Sequence, residues 1–267
     1  MVHLGKIYEG KYKYKYVPCG DGADAILKNA TMKFTDPKDF NDPFDCAPSY
    51  VLEDFDELLK VNADAYTRAI KDLKLSPAKR IQKKKELKAR VKRSLEDGTW
   101  QEGIRSRIGI CSMTTKASNL LMWAHYAKEH TGVVFEFHNV IPKRSVLNSH
   151  YLCAFHVEYK DVRPVLELSD ANYVHDLLTK GVDWKYEDEI RCLNVERKSG
   201  IYKYKRELLA SVILGARINA DDEANIRKLV KEVNQEHGLS IEVYQAEVSK
   251  DKFKLVIPDH PVYADLS

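Results

Sequence analysis

The 267-residue sequence predicts an α+β fold, and three observations carry that prediction. Tyr12-Lys13-Tyr14-Lys15-Tyr16 alternates aromatic and basic side chains, the period of two that marks a half-buried strand. Within residues 221–237, Ile226, Leu229, Val230 and Val233 recur at three- and four-residue spacing, the apolar stripe of an amphipathic helix. Short apolar runs at 108–113 (IGICSM) and at 212–214, the latter closed by Gly215, read as buried strands.

The remaining elements follow in order. Gly20 and Gly22 permit a turn after the opening strand, residues 23–29 suit a short helix, and 31–35 a second strand. The loop Asp36-Pro37-Lys38-Asp39-Phe40-Asn41-Asp42-Pro43-Phe44-Asp45 comes next. Each residue before a proline is pushed away from helical dihedrals, so this loop is expected to be extended and stiff. From 54 to 97 apolar Phe55, Leu58, Leu59, Ile81, Leu87, Val91 and Leu95 fall at roughly helical spacing, and Ser76-Pro77 supplies an N-cap and first-turn proline. That predicts two or three helices, forming a basic insertion over about 54–107 of a single domain spanning 1–267. Ser118 is the expected cap of a helix over 119–130, which Gly132 ends. A strand over 133–137 places Val133, Phe135 and Phe137 on one face. Beyond it we expect a strand at 154–159, a helix at 171–180, a strand at 184–195, and a closing hairpin of 241–248 with 252–257.

Composition narrows the classes. Forty-three basic and 40 acidic residues leave a formal charge of only +3, so any nucleic-acid surface has to be local. The cysteines Cys19, Cys46, Cys111, Cys153 and Cys192 are scattered and form no CxxC pair, which argues against a disulfide framework and a zinc ribbon; no metal is expected. Lysines and Glu9 interrupt the amino-terminal segment, and no apolar run is long enough to span a bilayer. The expectation is a cytoplasmic chain away from membranes. P-loop, GxGxxG, GxSxG and HExxH motifs are absent from the sequence, which removes the main support for Rossmann, hydrolase-elbow and zincin readings.

Three segments carry chemistry. In 120–127 (LLMWAHYA), Met122, His125, Tyr126 and Glu129 approach one another at helical spacing, and Trp123 introduces them; such a face can stack on a planar ring and donate hydrogen bonds. The plainer account is a buried aromatic helix. In 184–191 (WKYEDEIR), a strand would set Glu187, Glu189 and Arg191 on one face, the two carboxylates about 7 Å apart and repelling unless a cation or ligand compensates. The plainer account there is a surface salt bridge. The strand Tyr12 to Tyr16 with the loop Phe40-Asn41-Asp42-Pro43-Phe44-Asp45 forms the third, suited to a phosphate and a base. A structural turn is its alternative. The basic run from Lys79 to Arg93 reads as a solvated helix face or as a nucleic-acid contact.

These pieces in this order — the Lys13-Tyr14 strand, FNDPFD, MWAHYA running into Gly132-Val133, WKYEDEIR, and the Val212-to-Gly215 strand with its closing hairpin — resemble the bacterial domain of unknown function 2971 family. More distantly, the chain is similar to ADP-ribosyltransferases. That likeness implies a mixed, mainly antiparallel split sheet around a nicotinamide cleft, NAD as substrate, and a protein or nucleic-acid acceptor, in a toxin or a phage-defence effector. It also implies Glu189, with Glu187 as alternative, for the catalytic carboxylate, and His125 or Tyr126 on the middle unit. Lys13, Tyr14, Lys15, Asn41, Asp42, Trp123 and Arg191 are the expected nucleotide-binding residues. Two other readings stand beside it: a non-enzymatic nucleotide or nucleic-acid-binding module, and a metal-independent nuclease using His125 with Glu187 or Glu189.

Overall fold

The structure is a computed structural model describing residues 5–47, 49–50, 76–99, 102–103, 106, 108–142, 149–166, 173–195 and 197–263. Its strands are β1 (Tyr12–Val17), β2 (Thr31–Phe34), β3 (Ser49–Tyr50), β4 (Gly109–Thr114), β5 (Val133–His138), β6 (Ala154–His156), β7 (Glu158–Lys160) and β8 (Val165–Leu166). They continue with β9 (Thr179–Gly181), β10 (Glu189–Asn194), β11 (Gly200–Lys203), β12 (Leu209–Leu214), β13 (Glu242–Gln245), β14 (Glu247–Val248) and β15 (Leu255–Val256). The α-helices among the described residues are α1 (Asp21–Asn29), α2 (Pro77–Glu96), α3 (Leu120–Tyr126), α4 (Tyr173–Leu177) and α5 (Ala220–His237).

A seven-stranded sheet in the order β13-β12-β5-β1-β4-β10-β6 organises the molecule. Its pairs are antiparallel except β12 with β13, which α5 joins by a crossover. The predicted α+β class and mainly antiparallel mixed sheet are therefore present. The strength of pairing is uneven. β1 is registered with β5 from Tyr12↔His138 to Val17↔Val133, and β10 with β4 from Glu189↔Thr114 to Asn194↔Gly109. Between β1 and β4 only Tyr14↔Thr114 is matched. Two well-bonded half-sheets thus meet at a narrow seam.

Alternation along the strands sorts side chains into two layers. On one face Phe135, Phe137, Met113 and Ile190 pack with Leu27 of α1 and Leu229 of α5. On the other, Tyr14, Tyr16 and Val134 pack with Trp123 of α3 and with Ile257 near the carboxyl end, while Ile110, Phe155 and Leu193 pack with Leu177 and Leu178. Val133, Phe135 and Phe137 share a face as expected and are fully buried; burying one such side chain contributes about 1.5–3 kcal/mol.

Several boundaries differ from the sequence reading. α3 ends at Tyr126, since Lys128, Glu129 and His130 take left-handed φ angles of 46°, 55° and 67°. Asn119, not Ser118, caps it, accepting from Leu121 N at 3.0 Å and Met122 N at 3.3 Å. The returning chain then presses on β1: a Cβ on Gly132 would sit 2.4 Å from the Val17 oxygen. That steric demand requires glycine. The 171–180 helix shrinks to α4, and Thr179–Gly181 becomes β9, parallel to β7. Residues 184–187 belong to a 3₁₀ turn, Val182–Glu187, so β10 begins only at Glu189. The run at 154–159 breaks into β6 and β7, and β11 on β2 was not foreseen. At the carboxyl end 242–245 leaves the expected hairpin to extend the main sheet, and only β14 and β15 pair as one.

In the basic segment α2 begins at Pro77 as predicted, with Ile81 63% exposed rather than buried. Phe55, Leu58 and Leu59, and the side chains of Leu87, Val91 and Leu95, lie outside the described residues. All five cysteines are free thiols, and all but Cys19 are buried. Among the described residues no helix is long and apolar enough to cross a membrane.

Candidate functional site

The seam between β1 and β4 opens on one face of the sheet into a cavity of about 410 Å³, lined from β1, the 36–46 loop, β4, α3 and the 180–189 segment. That is within the range of small-molecule pockets. Local geometry explains its floor. The 3₁₀ turn closes at Asp188, whose left-handed φ of 45° reverses the chain between Glu187 and Glu189. Both carboxylates therefore reach one ammonium: Lys180 Nζ lies 2.5 Å from Glu187 Oε2 and 3.0 Å from Glu189 Oε2. On β10, Glu189 and Arg191 are two residues apart and share a face. Arg191 Nε donates to Glu189 Oε1 at 2.9 Å, and its Nη2 reaches Asp45 Oδ2 at 2.6 Å. Tyr126 donates its hydroxyl to Glu187 Oε1 at 2.5 Å, and the Asn119 amide donates to the Tyr186 carbonyl. Together these bonds tie α3 to the acidic turn.

All five charged members are at least 94% buried. Three carboxylates (Asp45, Glu187, Glu189) against two cations (Lys180, Arg191) leave one formal negative charge, 3 − 2. Burial opposes ionisation of Glu189, but Arg191 and Lys180 outweigh it and bring its pKa down to about 2. Burial also works against the Lys180 charge, and Glu189 and Glu187 overcome it, so its pKa rises. The Tyr126 hydroxyl is held protonated by burial and by its bond to Glu187. Glu189, Lys180 and Arg191 thus hold their charges at neutral pH.

The structure brings together Tyr14, Lys15, Asn41, His125, Tyr126, Glu187 and Glu189 around this cavity. His125 is exposed at the rim, its ring centroid 6.4 Å from those of Tyr126 and Tyr186. Four expected residues have other places. Lys13 is fully buried on the opposite face, donating to the Leu152 oxygen at 2.6 Å and to Asn139 Oδ1 at 3.2 Å; burial and these bonds keep it from any phosphate in the cavity. Trp123 is fully buried, its Nε1 donating to the Ala117 oxygen at 2.7 Å, and edge-on to Tyr16; it is core, not a stacking platform. Asp42 folds back to accept from Phe44 N at 2.8 Å and shapes its own turn. Arg191 lies behind the carboxylates and outside the cavity lining, where it orients them.

Lys180 was missed, and Asp45 was read only as part of its loop. The signal for Lys180 was an unbalanced charge, since two carboxylates around a single local arginine demand a second cation. Asp45, the last residue of FNDPFD, could be found only through the contact of that loop with β10.

Residues 122–192 match the family model described as a protein of unknown function, DUF2971. Over that segment the chain is similar to the DUF2971 family. The DUF2971 stretch holds Tyr126, Lys180, Glu187, Glu189 and Arg191, whereas β1 and the 36–46 loop, which complete the cavity, precede it. No curated protein and no solved structure matches the chain, so the ADP-ribosyltransferase likeness receives no support from either comparison.

Proposed function

We propose that this protein cleaves an N-glycosidic bond of NAD, transferring ADP-ribose to an acceptor or to water. The observation that supports the reading is the pair Glu187 and Glu189, both buried and both anchored on Lys180 at the floor of a cavity sized for a nucleoside. Breaking the bond between ribose C1′ and nicotinamide N1 sends the electron pair to a neutral leaving group and leaves an oxocarbenium-like centre. A fixed negative array stabilises that charge without reorganising, which is where enzymes gain most. The nucleophile then bonds C1′ and gives up its proton; exposed His125 at the rim is placed to take it. Tyr14 and Tyr126 offer rings to the base, and Lys15 is the cation available to a phosphate, with Lys13 and Trp123 removed from those roles.

The test is incubation of the full chain with adenylate-labelled NAD and cell extract, following label into protein, nucleic acid or free ADP-ribose. Glu189→Gln and Glu187→Gln should each lower turnover by about 10²–10³. Undiminished turnover in both would remove the catalytic role of the pair. One observation favours a second reading, a nucleotide-binding site without catalysis: every oxygen of Glu187 and Glu189 already has a partner in Tyr126, Lys180 or Arg191. Saturable NAD binding without release of nicotinamide would select it.

A further inference from the structure

The turn joining β14 to β15 runs Ser249-Lys250-Asp251-Lys252-Phe253-Lys254. Its shape is fixed by pairing of Glu247 with Val256 and Val248 with Leu255, by Ser249 N donating to the Lys254 oxygen at 3.0 Å, and by Ser249 Oγ donating to Asp251 Oδ1 at 2.8 Å. Phe253 is fully exposed, with a relative accessibility of 103%, so both faces of its ring are open to solvent. Beneath the turn lies a second cavity of about 540 Å³, with Leu120, Ala216 and Leu255 in its walls and Arg217, Lys250, Lys252 and Lys254 also lining it. Among the described residues none of these four cations is in an ion pair. Asp251 is the one carboxylate in the lining.

Phe253, the exposed Val248 and the apolar walls of the hollow form one apolar surface rimmed by charged residues, and a contiguous exposure of that kind marks contact with something else. Four cations around an apolar hollow, against one carboxylate, call for an anion that also carries flat apolar surface. A nucleic-acid strand meets both demands. A duplex hides its base faces in the stack, whereas a single strand can offer them to a ring that is open on both sides. We propose that this turn and cavity bind single-stranded nucleic acid, a base stacking on Phe253 and phosphates held by Lys250, Lys252, Lys254 and Arg217. The surface adjoins the candidate site through α3, whose Leu120 lines this cavity while Met122, His125 and Tyr126 line the other. The inference stands whether or not NAD is consumed.

The test is fluorescence polarisation of the full chain with labelled 20-nucleotide mixed-sequence single strands, DNA and RNA, over a range of salt. Wild-type protein should bind at low salt and lose affinity as salt rises. Phe253→Ala should weaken binding at least about fivefold, the low end of a stacked base. The triple variant Lys250→Gln, Lys252→Gln, Lys254→Gln should flatten the slope of log affinity against log salt by about 2, three contacts at roughly 0.7 each. Both variants alter exposed or half-exposed side chains and should melt with the wild type. The proposal is overturned if the wild type does not bind, or if both variants bind as wild type does. It is equally overturned if duplex or poly-glutamate competes as well as a single strand, or if only replacing Lys79, Lys83 and Lys85 of α2 abolishes binding.

Discussion

Lys180 Nζ lies 3.0 Å from Glu189 Oε2, and both side chains are almost wholly buried. Neither charge is local to the other's element: Lys180 belongs to β9 and Glu189 opens β10, with the 3₁₀ turn between them. The ammonium also contacts Glu187 and lies 3.7 Å from Asp45 Oδ2, so it is the hub on which the site is assembled.

Removing that hub leaves carboxylates facing one another without water. Lys180→Met is expected to destabilise the fold by about 3–5 kcal/mol, the cost of breaking a buried pair from one side, with Lys180→Arg losing much less. Urea denaturation checks this. A loss below about 1 kcal/mol for Lys180→Met would mean that the carboxylates are solvated or protonated in solution.

Acid should act through Glu189. Its folded pKa is depressed from 4.5 to about 2 by Arg191 and Lys180, which outweigh its burial. The unfolded chain therefore takes up this proton first, and stability from the pair is complete above pH 4.5 and lost as pH falls towards 2. Wild-type stability should drop more steeply across that window than that of Glu189→Gln. Parallel curves would refute the assignment.

Tyr126 and His125, neighbours in sequence, should separate structure from binding. Tyr126→Phe removes a 2.5 Å hydrogen bond to a carboxylate and should cost about 1.5–3 kcal/mol of stability. His125 is exposed and has no such bond, so His125→Ala should stay within about 0.5 kcal/mol of wild type while lowering NAD turnover. Thermal melts beside the labelled-NAD assay read both quantities.

The two lysines of β1 make a second contrast. Lys13→Met should leave NAD affinity unchanged and reduce stability by about 1–3 kcal/mol, because the Leu152 oxygen loses its buried donor. Lys15 lines the cavity, its ammonium donating to the Ser112 oxygen at 2.7 Å. Lys15→Met should weaken NAD binding about tenfold, the worth of one charge-assisted bond. Calorimetric titration of both variants decides; equal effects on affinity would contradict the placement of Lys13.

Much of the fold is written in side-chain periodicity. The Tyr12–Val17 alternation, the one-sided Val133, Phe135 and Phe137, and the Ile226–Val233 stripe of α5 depend on neighbours close in sequence, and each formed the expected element. Failures cluster where the backbone departs from regular geometry. Asp188 in a left-handed turn, α3 cut short at Tyr126, and β13 leaving its hairpin for β12 are choices made by packing against distant strands, and no local pattern encodes them.

The site divides in the same way. Residue types alone nominated Glu187, Glu189, His125, Tyr126, Tyr14, Lys15 and Asn41, since carboxylates set close together near aromatic and basic groups signal chemistry wherever they fold. Tertiary structure decided which lysine of β1 reaches the cavity, turned Trp123 into core and Asp42 into a turn cap, and carried Lys180 and Asp45 in from separate segments. The physical reason is charge balance in a buried place: composition and spacing can show that two carboxylates need cations, but only the folded chain determines which cations lie within 3 Å of them.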